Sequence, residues 1–242
     1  MWSLISPLTS PKKFFYLSRK IQPWILSLFV ITFIYGVIGG LFLAPPDYIQ
    51  GDAFRIIYVH VPAAFLSLFI YAIMAAAAFC SIVFRLKLAF LVIRESAPLG
   101  ASFTLLALLS GSLWGKPMWG TWWIWDARLT SELILLFLYL SILLFQSAIS
   151  HKQSGERLLA LFILVGFIDI PIIHYSVYWW NTLHQGATLS LFAQPKIDTS
   201  MLYPLLSMIF AFLFYYMIVL FLRIRYELIS TFANQHWLLD KR

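Results

Sequence analysis

The chain has 242 residues, 62% of them hydrophobic and 11% charged, with a formal net charge of +7. Soluble domains carry roughly half apolar and about a quarter charged residues, so this composition excludes a soluble globular protein and indicates an integral membrane one. The basic balance describes how a membrane chain is oriented, and nucleic acid is not needed to account for it.

Six apolar stretches are long enough to cross a hydrocarbon core, which takes about 20 helical residues. They are expected near Pro23–Leu43, Val61–Phe84, Ala97–Leu113, Leu129–Ile149, Leu158–Tyr178 and Pro204–Leu222. The expected fold is all-α, a bundle of six transmembrane helices in one membrane domain over residues 1–242. The first span is read as retained, because Gly39-Gly40 is a poor match to a cleavage site.

Charge sets the orientation. Thirteen basic residues, among them Lys12, Lys13, Arg19, Lys20, Arg85, Lys87, Arg94, Arg223 and Arg225, fall on one side of a six-span arrangement, and four (Arg55, Lys116, Arg128, Lys196) fall on the other. The positive-inside rule then makes both termini cytoplasmic, with tails at 1–22 and 223–242, and makes the first, third and fifth links external. The single Cys80 excludes an internal disulfide and a Cys-x-x-Cys-His haem attachment site.

In chain order, the first external link ends Arg55-Ile-Ile-Tyr58-Val-His60-Val-Pro62. Pro62 is tolerated in the first turn of a helix, which puts His60 at the mouth of the second span. The second external link, 114–128, holds five tryptophans in twelve residues: Trp114, Trp119, Trp122, Trp123 and Trp125, followed by Asp126 and Arg128. A short helix starting at Pro117 would place Trp119, Trp122, Trp123 and Asp126 on one face. The third, 179–203, opens Trp179-Trp180-Asn-Thr-Leu-His184.

Tryptophan collects at membrane interfaces as an aromatic belt, and it also gives a planar ligand an apolar face with an N–H to spare. Seven of the ten tryptophans lie in two external links beside histidines, a distribution that favours a ligand platform over a belt. His151 and His236 sit among cytoplasmic basic residues. His60 and His184 are either structural or a facing pair of the kind that caps a haem iron. Asp169 and His174 lie inside the fifth span, where an ionisable residue marks either a functional site or an interhelical hydrogen-bond network. Arg55 and Arg128 depart from the charge pattern; each fork can take a carboxylate, and Arg128 can equally pair with Asp126 or Glu132. No Gly/Pro-broken pair of spans stands out, which weighs against a permease with a tryptophan gate.

The run from Trp114 to Ser131 resembles the tryptophan-rich, WWD-type signature of haem-handling membrane proteins. The flanking segments Tyr58-Val-His60-Val-Pro62-Ala and Ile173-His174-Tyr-Ser-Val-Tyr-Trp179-Trp180-Asn-Thr-Leu-His184-Gln-Gly resemble the histidine motifs of the CcmC-type haem exporter family of bacterial cytochrome c maturation. The resemblance covers nearly the whole chain. It implies non-covalent haem b held at the periplasmic face of the inner membrane, with His60 and His184 as axial ligands and Trp114, Trp119, Trp122, Trp123 and Trp125 as its platform. It further implies delivery to the periplasmic haem chaperone CcmE, within a complex of the ABC subunits CcmA and CcmB and the small single-span CcmD. The haem is transferred, and no catalytic residue is assigned. Two alternatives stay open: a cytochrome c synthetase-like haem protein, for which six spans are few, and a quinone-linked electron-transfer subunit, which would stack histidines within its helices.

Overall fold

The computed structural model describes residues 10–148, 153–184 and 197–232; His151, His236, Lys196 and the two chain ends lie outside them. Six helical segments are long and apolar enough to cross a membrane: Pro11–Leu43, Asp52–Val83, Leu88–Trp119, Ala127–Ala148, Ser154–Trp179 and Thr199–Thr231. No strand occurs among the described residues, and the expected all-α, six-span architecture is the one observed. Several spans run beyond their expected ends because helices continue past the apolar stretch into interfacial residues.

Helix α1 (Pro11–Val37) starts at Ser10, whose hydroxyl accepts from the Lys13 N–H, with Pro11 in the first turn. It continues as a π-helical turn, Ile38–Leu43. The first link then folds tightly: Asp47 and Gly51 exchange backbone hydrogen bonds, and Asp47 Oδ1 accepts from the N–H groups of Ile49 and Gln50. A 3₁₀ turn, Asp52–Ile56, leads into α2 (Ile57–Val83). His60 therefore lies within α2 and Pro62 in its interior, not in the first turn as expected; the 3₁₀ turn starts the helix earlier.

Helix α3 (Lys87–Trp119) extends through Trp114 and Pro117 to Trp119 and stops at Gly120, whose φ of 74° is the left-handed conformation that favours glycine. The Gly120 N–H reaches the Lys116 carbonyl, and Lys116 Nζ donates to the Gly120 carbonyl at 3.0 Å. No separate helix begins at Pro117. Residues 120–126 are non-helical, so the expected shared face of Trp119, Trp122, Trp123 and Asp126 does not form. Asp126 instead heads α4 (Ala127–Ala148), its Oδ1 accepting from the Leu129 N–H at 2.8 Å.

The fifth span, expected to be continuous, is two helices: α5 (Gln153–Gly166) and α6 (Asp169–Trp179), joined by a turn at 167–168. Helix α7 (Thr199–Phe232) follows Asp198, whose Oδ1 accepts from the Ser200 N–H and hydroxyl; these bonds hold its carboxyl below the ordinary aspartate range.

The hairpin α2–α3 forms the centre. Helices α1 and α7 pair on one flank, α4 packs on α3, α5 on α2 and α6 on α4. Leu66, Ile70, Met74, Leu135 and Ile142 are fully buried between these elements. A second apolar cluster of Ala44, Phe54, Ile57, Tyr58, Met201 and Leu205 fastens the first link to α7. At the end holding the α2–α3 turn, Arg94 bonds Glu227 at 2.8 Å and Arg223 bonds Glu95 at 2.9 Å, joining α3 to α7. Those basic residues gather away from the tryptophan-rich end.

A histidine-bearing aromatic cleft at one end of the bundle

At the opposite end, α2, α3 and α4 surround a cleft that is open on one side and lined mainly by apolar and aromatic side chains with a few polar ones, the make-up of small-molecule and cofactor sites. His60 enters from α2. Its Nδ1 lies 3.0 Å from the Ala107 carbonyl and 3.1 Å from Ser110 Oγ, both on α3. A carbonyl only accepts, so Nδ1 carries the proton and Nε2 keeps the lone pair that binds a metal. The ring can lie this close to α3 because residue 111 is glycine: a Cβ there would sit 3.0 Å from His60 Cε1.

His184, just past α6, completes a pair. The two imidazole centroids are 6.4 Å apart with planes at 40°, although one residue comes from α2 and the other from the segment after α6. Trp119 stands 6.4 Å from His184, and Trp114 meets His60 edge-on at 5.6 Å. Trp114 Nε1 donates to Gln50 Oε1 at 2.9 Å, which brings the tip of the first link into the cleft wall. Trp123 also lines the cleft, and its Nε1 is buried without a protein acceptor.

The floor is polar. Arg128 donates to the Ile173 carbonyl at 2.8 Å, tying α4 to α6, and Glu132 accepts from Ser67 Oγ at 2.7 Å. No ion pair joins Arg128 to Asp126 or Glu132 among the described residues, and Arg128 is part of the cleft lining.

Of the residues singled out from sequence, the cleft gathers His60, His184, Trp114, Trp119, Trp123 and Arg128. Trp122 and Trp125 are 53% and 75% exposed and do not line it. Lys116 lies over the Trp122 ring, and Trp125 meets Trp123 edge-on at 5.4 Å. Asp126 supports from behind, accepting from the Thr182 hydroxyl two residues before His184. Arg55 lies outside the cleft, bonded to Asp52 at 2.9 Å and to the Gly40 carbonyl at 2.8 Å. His174 is exposed on α6 against Tyr175, and Asp169 is buried in the interior. Sequence reading passed over Gln50, Gly111 and Met118 as cleft residues. Glu132, an acid inside an apolar span, carried a signal that could have found it.

Fold and cleft together define a polytopic helical membrane protein with an aromatic cleft holding two histidines at one end of its bundle. The sequence profile of the family described as Heme exporter protein C matches residues 4–239. The chain is 44% identical over 237 residues to the Heme exporter protein C of Haemophilus influenzae and to that of Escherichia coli K12, covering 98% of this chain and 96% of each relative. It is 45% identical over 205 residues to the protein of the same name from Bradyrhizobium diazoefficiens, covering 85% of this chain and 78% of the relative. The chain belongs to the Heme exporter protein C family.

Proposed function

We propose that the chain holds haem in this cleft at the periplasmic face of the bacterial inner membrane and passes it to a periplasmic haem chaperone during cytochrome c maturation. The observation that carries the reading is the meeting of His60 and His184 at 6.4 Å in a tryptophan-walled cleft. Haem is cargo here, and the residues suit it. His60 offers Nε2, Trp119 and Trp123 offer apolar faces, Trp123 Nε1 offers a donor, and Arg128 offers a fork for a carboxylate. Among the described residues no cluster of three or more His, Cys, Asp or Glu could bind a bare metal ion, whereas an iron already held by a porphyrin needs only axial ligands.

Each residue has a separate task. The Ala107 carbonyl keeps His60 in the tautomer that ligates. Gln50 and Trp114 close one side, and the exposed Trp122 and Trp125, either side of Trp123, are available to a partner. His60 and His184 would hold the iron of the cargo from their imidazoles and would keep oxygen from it, and a partner that displaced either one would take the cargo over. The partner set implied by the family resemblance is the chaperone CcmE with the ABC subunits CcmA and CcmB and the single-span CcmD, in an assembly that needs no catalytic residue from this chain. Both termini are cytoplasmic in this arrangement, in keeping with the basic residues at the end opposite the cleft.

The test is haem transfer from purified, loaded protein to the purified chaperone. A Trp119→Ala, Trp123→Ala double variant should retain less haem and transfer it poorly. Undiminished transfer by the double variant would refute the platform.

A further inference from the structure

Beneath the cleft lies a polar cluster with no part in gripping a flat ligand. Ser67 is its hub, donating from Oγ to Glu132 at 2.7 Å and accepting at its carbonyl from the Tyr139 hydroxyl at 2.8 Å. Tyr71 packs edge-on against Tyr139 at 5.3 Å and is fully buried, yet its hydroxyl has no protein partner. That hydroxyl points at the break in the fifth span, where a Cβ on Gly166 would lie 2.1 Å from it. Asp169, at the start of α6, is buried too, and its Oδ2 has no donor. A buried hydroxyl and a buried carboxyl oxygen, both without a partner in the protein, thus lie beside the interruption of a span, a setting in which membrane proteins hold protons or water.

The cluster reaches the cleft through Glu132, which lines its floor one turn along α4 from Arg128. Glu132 shares the cleft with Arg128 of its own helix, His60 of α2 and His184, and accepts from Ser67 Oγ of α2; Tyr139 of α4 and Asp169 of α6 are its other titratable neighbours. Helix α3 presents no titratable side chain to the cleft among the described residues. Arg128 is the one Lys or Arg lining the cleft among the described residues, so it is the cation available there to a carboxylate at 132. When a carboxylate of the cargo engages Arg128, that support is neutralised and the floor gains negative charge in a water-poor setting, which is costly.

We propose that Glu132 is a proton-accepting site coupled to cargo binding. As a cargo carboxylate docks on Arg128, a proton from water at the cleft mouth moves to Glu132 Oε2, and it returns to water when the cargo leaves. The inference rests on the haem reading for the identity of the cargo alone.

Haem would be titrated into the purified full chain in weak buffer, with bound haem read by absorbance and protons by an indicator dye. The wild type should take up about one proton per haem more than Glu132→Gln, so its apparent affinity should vary with pH by up to about tenfold per unit more steeply than the variant's. Infrared difference spectra of wild type labelled with ¹³C-glutamate guard against a misfolded variant: a carboxylic-acid C=O band should grow on haem binding and shift with the label. Equal uptake by both proteins, or absence of such a band, overturns the proton inference while leaving haem binding intact. A wild type that binds no haem overturns both.

Discussion

His60 is held from behind by α3, and the geometry of that contact makes Gly111 as important as the histidine itself. A methyl group at 111 would press on Cε1 at 3.0 Å, and overpacking of this kind costs about 1–3 kcal/mol. Gly111→Ala should therefore leave the bundle folded, lower its melting temperature modestly and change the absorbance spectrum of bound haem; a spectrum identical to wild type would show that the ring is not seated there. The histidines were legible in sequence as residues beside span ends, and Arg128 as a departure from the charge pattern. Gly111 was not, because a glycine in an apolar helix carries no mark of the ring that rests on it. Arg55 drew attention by the same charge rule as Arg128, but its reason is local: Asp52 and the Gly40 carbonyl pin the first link.

At the scale of elements, the cleft wall is made where helices end. Gly120 lets α3 stop with Trp119 facing inward and sends Trp122 and Trp123 along a non-helical strap. Its positive φ means that Gly120→Ala should cost about 1 kcal/mol, measurable as a lower melting temperature together with weaker haem retention. The first link acts from the other side through Gln50. Losing its hydrogen bond to Trp114 removes about 0.5–1.5 kcal/mol, so Gln50→Ala should speed haem loss about two- to tenfold in a transfer assay to an excess haem acceptor. The length of the apolar runs located the spans, whereas sequence pattern was a poorer guide in the links and turns. It misplaced the link helix at Pro117 because proline can begin a helix or sit within one, and the α3 continuation decided the matter. It also missed the break at 167–168, where an apolar run hides a turn.

For the whole molecule, six crossings put the cleft at one end and Arg94, Arg223 and their acidic partners at the other. The positive-inside reading predicts that the cleft end faces the periplasm. In a Cys80→Ser background, Tyr48→Cys, at a fully exposed position in the first link, should react with a membrane-impermeant thiol reagent in intact spheroplasts. Phe84→Cys, beside the α2–α3 turn, should react only after lysis, and the reverse pattern would invert the topology. The central claim is that two histidines from separate elements of the chain bind one haem, and absorbance and electron paramagnetic resonance spectra of purified, haem-loaded protein test it most directly. Wild type should show a low-spin, six-coordinate iron, and His60→Ala and His184→Ala should each lose that signature and retain less haem. A wild-type low-spin spectrum in both variants would contradict the account.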